Sequence, residues 1–228
     1  FRLIPFTREE TALLQANSDR AGAAFRRSLF CLAAAIRALD GVRLRRGAPP
    51  ATYLVPVPQD RRRRGATGPV FSNHLSFLFY RGAPEAVATM ESLVAALARQ
   101  MTGQVRDRMP EAFATAMEMF QRVPLGWYAR ILHGPSGGQF ASLFFSDTGE
   151  VWGTHSAANV SGDTFRCECV PTQAAFLGAP ILGVTHLAPV CVPPGIGVVC
   201  STFQGRLSLV LSWVEGCLDD TEAALVEQ

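Results

Sequence analysis

Phe71-Ser72-Asn73-His74-Leu75-Ser76-Phe77-Leu78-Phe79-Tyr80-Arg81 joins a polar entrance to an apolar, aromatic run from Leu75 to Tyr80. A run with so few polar interruptions is the pattern of a strand covered on both faces, so it is expected inside a sheet. Upstream, Tyr53 to Val57 must be extended, because Pro56 and Pro58 forbid helix and push their predecessors toward β or polyproline geometry. Downstream of Pro84, the positions Val87, Met90, Val94, Leu97 and Met101 draw a helical stripe, and Pro110 fits the first turn of a further helix reaching Phe120.

Further out the alternation of helix and strand continues. Thr7-x-x-Glu10 has the spacing of a capping box and starts a helix that runs to about Asn17. Phe25, Leu29, Leu32, Ile36 and Leu39 give a second helix one apolar stripe, with Asp40-Gly41 as its expected stop. Phe140 to Phe145 reads as a strand ending in the turn sequence Asp147-Thr148-Gly149. Ile196 to Phe203 and Arg206 to Trp213 read as a hairpin around Gln204-Gly205. Asp219 with Glu222 caps the last helix. The chain has no internal repeat, and residues 1–228 form one α/β unit.

Composition narrows the classes. The 228 residues are 48% hydrophobic, enough for a sizeable core. A formal charge of +2 is too small to imply a nucleic-acid partner, although all 21 basic residues are Arg. The most apolar window, Ala174 to Cys200, is interrupted by Pro180, His186, Pro189, Pro193 and Pro194, so no membrane span is expected. Six cysteines in a chain of this size do not need to be disulfide staples, and a reducing cytoplasm is the expected setting. The chain opens at Phe1 and closes within a helical pattern at Gln228, so a fragment is expected.

The order and spacing of several short motifs carry a family resemblance. Tyr53-Leu54-Val55-Pro56-Val57 followed by Asp60-Arg61, then Ser72-Asn73, Ser146-Asp147-Thr148-Gly149, Pro194-Gly195-Ile196-Gly197 and Phe203-Gln204-Gly205-Arg206-Leu207 cover most of the chain. Together they resemble the C-terminal lobe of condensation-domain and chloramphenicol-acetyltransferase-like acyltransferases, wax ester synthase/diacylglycerol acyltransferase relatives included. The resemblance implies a two-layer α/β sandwich, C-terminal lobe only. It also implies a parent enzyme that moves an acyl group from a coenzyme A or carrier-protein thioester to a hydroxyl or amine of a small-molecule acceptor. No bound cofactor is implied, because the thioester is substrate. Asn73, His74, Ser146 and Asp147 become candidates for the wall of the substrate tunnel, with Ser146 and Asp147 expected at the end of a central strand and facing the cleft.

Two departures qualify it. Arg26-Arg27 stands where the wax ester synthase relatives have Asn-Asp, and Asp147 stands where the family has Asn. The family's His-His-x-x-x-Asp is also absent: none of His74, His133, His155 and His186 has an Asp four residues on. The catalytic group is therefore unknown, and an N-terminal catalytic lobe or self-association is expected to complete the molecule. A non-catalytic interaction or dimerisation module of the same fold is the alternative.

Other motifs read blandly. Gly134-Pro135-Ser136-Gly137-Gly138 has the spacing of a nucleophile elbow but lacks the helix that must follow the serine. Cys167, Cys169, Cys191 and Cys200 do not reproduce paired zinc knuckles, so no metal is expected. Arg61 to Arg64 lack interleaved aromatics and read as a solvated loop. His74 reads as a hydrogen-bonded histidine beside a buried strand, and Asn73, Ser146 and Asp147 equally fit residues that satisfy turn backbone.

Overall fold

The computed structural model describes residues 1–23, 26–61, 75–133, 141–151, 175–177, 179–190 and 192–227. In chain order the elements are β1 (Arg2–Pro5), α1 (Arg8–Arg20), α2 (Arg27–Arg45), β2 (Tyr53–Asp60), β3 (Leu75–Gly82), α3 (Pro84–Val87), α4 (Met90–Arg106), α5 (Met109–Phe120) and α6 (Leu125–His133). They continue as β4 (Phe144–Glu150), β5 (Ala175–Phe176), β6 (Ala179–Pro180), β7 (Ile196–Phe203), β8 (Arg206–Trp213) and α7 (Asp220–Val226). This is the expected α/β class.

One sheet has the order β1-β8-β7-β4, with β4 parallel to β7 and the other pairs antiparallel. The pair β2-β3 continues it through Ser142, just before β4. Its N–H donates to the Leu54 carbonyl at 2.7 Å, and the Leu54 N–H donates to its hydroxyl at 3.1 Å. Pro56 and Pro58 alternate with Leu54 along β2, so they stand on the edge that faces β4, where no ladder donor is required. The β7-β8 hairpin turns at Gln204 (φ 51°) and Gly205 (φ 73°), the pair of positive φ values of a tight two-residue turn.

The core lies between the sheet and helices α2, α4 and α7. Leu32 and Ile36 of α2, Leu93 and Leu97 of α4, Val55 and Phe145 of the sheet and Ala223 of α7 are all essentially inaccessible. Burying each large apolar side chain contributes about 1.5–3 kcal/mol. The capping boxes at Thr7 with Glu10 and Asp219 with Glu222 both form.

Four expectations need correction. Helix α2 runs through Asp40-Gly41: Gly41 is helical and packed beside Leu225, and the Asp40 carboxylate accepts from the Tyr53 hydroxyl at 2.7 Å instead of capping. The stop is Gly47 (φ 64°), where the Gly47 and Ala48 N–H groups bond back to Leu44 and Arg43. Strand β3, expected in the sheet interior, pairs only with β2 among the described residues. Its outer edge is met by glutamine side chains: Gln104 receives the Phe79 N–H and donates to the Phe79 carbonyl, both at 2.8 Å, and Gln100 does the same for Arg81 at 2.7 and 2.8 Å. Strand β4 begins later than expected and runs on through Asp147 and Thr148, with a register shift between Asp147 and Glu150 and a positive φ at Gly149. The stripe from Val87 to Met101 divides between α3 and α4 because Thr89 N-caps α4 through the Ser92 N–H.

Candidate functional site

Strand alternation places the candidates. Asp147 sits opposite Cys200 in the parallel β4-β7 pair and shares a face with Phe145, the face covered by α2. Ser146 points to the other face, beside Val199, and its hydroxyl has no hydrogen-bond partner among the described residues. The two neighbours therefore do not present their side chains to one common cleft. Asn73 and His74 lie outside the described residues, as do Arg62 to Arg64, Ser136, Cys167, Cys169 and Cys191.

Asp147 joins Gln15, Asp19, Arg26, Arg27 and Ser28 around an open cleft of about 500 Å³ at the start of α2. Helix α2 has no side-chain N-cap and no acidic residue in its first turn. Its positive end and two guanidinium groups thus face the carboxylates of Asp19 and Asp147 across the cleft. Arg27 leans over β7, where its Nη2 donates to Thr202 Oγ1 at 2.6 Å, while its Nε is buried without a partner among the described residues. The Asp147 carboxylate accepts the Gly149 N–H at 2.9 Å, and Thr148 donates to the Cys200 carbonyl at 3.2 Å. These bonds fix the bulge that aims Asp147 at α2.

Below the cleft, Cys31 of α2 and Cys200 of β7 are both buried free thiols. The neighbouring Cys31 thiol, then burial, pushes the Cys200 thiol well above its ordinary range. Interaction with Cys200, opposed by burial, makes Cys31 the more acidic member. Tyr80 of β3 is pushed up to about 12 by burial, with the Arg26 charge pulling the other way. The lining of the cleft offers guanidinium groups for anions and carboxylates for cations or hydroxyls. The sequence flagged Asp147 and Arg26-Arg27 as unrelated departures. Their approach across α2 and β4 is a tertiary fact with no local signal.

No family model and no curated protein matches the chain. Solved structures do. The trichothecene 15-O-acetyltransferase TRI3 from Fusarium sporotrichioides matches 99% of this chain at a TM-score of 0.62 and 14% identity, over 45% of its own length. Polyketide synthase associated protein 5 from Mycobacterium tuberculosis matches 99% at 0.56 and 13% identity, over 50% of its length. The first condensation domain of the CDA synthetase matches 99% at 0.52 and 13% identity, over 42% of its length. The chain thus spans half or less of each of these three structures. Together with the sheet order and helix layer, these likenesses show that the chain has the fold of condensation-domain and chloramphenicol-acetyltransferase-like acyltransferases, across roughly half of that fold's extent.

Proposed function

We propose that the chain works as the C-terminal lobe of an acyltransferase and forms one wall of the site where an acyl thioester meets a hydroxyl or amine. The observation that carries this reading is the likeness of nearly the whole chain to less than half of an acetyltransferase. Coenzyme A or a carrier protein supplies the thioester, and a general base from a partner lobe takes the acceptor's proton as it attacks the carbonyl; the C–S bond then breaks and the thiolate leaves, taking up that proton as the free thiol. This lobe's share is orientation: Arg26, Arg27 and Asp147 hold polar groups of the substrate in their cleft, and restricting the reactants' motion lowers the entropic barrier. The free thiols Cys31, Cys200 and Cys217 fit a reducing, cytoplasmic setting.

Thiol release from a set of acyl-coenzyme A donors, with alcohol and amine acceptors, tests the reading. The chain alone is expected to give no turnover. Turnover that disappears on replacing a residue of this chain would move catalysis into it and overturn the lobe reading. The exposed apolar residues of α6, Leu125 at 81% and Trp127 at 66%, favour the second reading, an interaction module of the same fold.

A further inference from the structure

On the helix side of the sheet, sharing no lining residue with the Asp147 cleft although Cys31 beneath that cleft borders it, lies a half-enclosed cavity of about 360 Å³. Its floor is sheet, with Val198, Leu209 and Leu211, and its roof is α2. The roof is where the space arises: Ala34, Ala35 and Ala38 turn short side chains toward a sheet that elsewhere meets the leucine and isoleucine of the same helix. Leu14, Met90 and Leu225 close the sides. The lining has one charged residue, Arg37, which is exposed and has no hydrogen-bond or ion-pair partner among the described residues. An exposed arginine in an apolar lining can lay its stem along the wall and keep its guanidinium in water.

Among the described residues the lining is apolar with one exposed cation, and a cavity of this size and character has a defined complement. Ligand pockets begin at around 300 Å³ and use a few polar groups to orient an apolar body. Among the described residues the lining's one charged group is the Arg37 guanidinium, whose fork matches a carboxylate. We propose that this cavity binds an aliphatic carboxylate, with the chain between α2 and the sheet and the carboxylate on Arg37. The site is separate from the acyl-transfer cleft and stands whether or not that reading holds.

Binding of straight-chain carboxylates from hexanoate to dodecanoate, measured by titration calorimetry, tests the proposal. Each added methylene is expected to tighten binding about fourfold until the cavity is full. Arg37→Gln is expected to weaken dodecanoate by roughly tenfold through loss of a charge-assisted pair, while leaving dodecanol unchanged. Ala35→Leu, which fills the cavity, is expected to abolish binding of both without lowering the thermal midpoint. No saturable binding, dodecyltrimethylammonium binding as tightly as dodecanoate, or binding indifferent to Arg37→Gln would each overturn it. Arg37 is exposed and its replacement spares the fold, so the charge arm decides the matter even if Ala35→Leu unfolds the chain.

Discussion

Glu222 shows how much one side chain does here. Its carboxylate completes the capping box of α7 and takes both nitrogens of the Arg46 fork at 2.6 Å, tying the end of α2 to the start of the last helix. The Arg46 hydrogen bonds, then the Asp219 backbone, hold its pKa below the ordinary 4.5. A carboxylate depressed in the folded state contributes stability that is complete above its unfolded pKa and is lost as pH falls through the folded value. Acid should therefore weaken the native chain, and Glu222→Gln should flatten that dependence. Urea midpoints measured from neutral pH down to about 3, spanning the carboxylate range, check it; equal acid sensitivity in both proteins would show the pair to be idle. At the Asp147 cleft, by contrast, Arg27 shows the limit of sequence. Its type and number are plain, but its position over Thr202 depends on a strand 175 residues away.

Among elements, β3 and α4 are the pair whose fit was least legible. The apolar run from Leu75 to Tyr80 foretold a strand covered on both sides, and it is: Leu78 and Tyr80 face the core while Phe77 and Phe79 pack edge-on against Phe113 of α5 at 5.8 and 5.3 Å. What hydrophobicity cannot encode is the strand's place in the sheet, because pairing partners are set by backbone groups that every residue has. Gln100 and Gln104 lie outside the apolar stripe of α4, yet they satisfy four backbone groups of an edge. Gln104→Leu would leave the Phe79 N–H and carbonyl unpaired, at a cost of about 1–3 kcal/mol for buried groups. Urea denaturation should show that loss, whereas Gln→Leu at a helix position free of such bonds should change little. Hairpin β7-β8 and both capping boxes were legible because their signals are local; β1 and α6 were not, lacking turn chemistry or a long stripe of their own.

At the scale of the whole molecule, the question is what surface remains for a partner. Of the four strand aromatics expected to need a second chain or segment, Phe145 is fully buried and Phe77 and Phe79 pack against Phe113 of α5, while Phe144 stays half-buried. The apolar surface left outside includes Met119, Leu125 and Trp127 around the α5-α6 corner, at 69, 81 and 66% exposure. A patch of this kind is expected to be covered by a partner lobe or a second copy. Light scattering over a wide concentration range should show mass rising with concentration, and Leu125→Ser with Trp127→Ser should remove the rise; a constant monomeric mass in the unaltered chain would refute it. Partners are also constrained by how the sheet ends at β3. Four residues of α-helix advance about 6.0 Å and two residues of strand about 6.6 Å, so amides one helical turn apart nearly keep step with alternate strand residues. The next rung in one direction would fall at Arg108, beyond the end of α4, and in the other at Ala96, which has no amide to offer. Helix and strand are commensurate for two rungs and no more, and an inserted residue between Gln100 and Gln104 would swing one amide about 100° off the edge. A second lobe arriving there would find the strand already answered, and would have to recognise this one by its side chains.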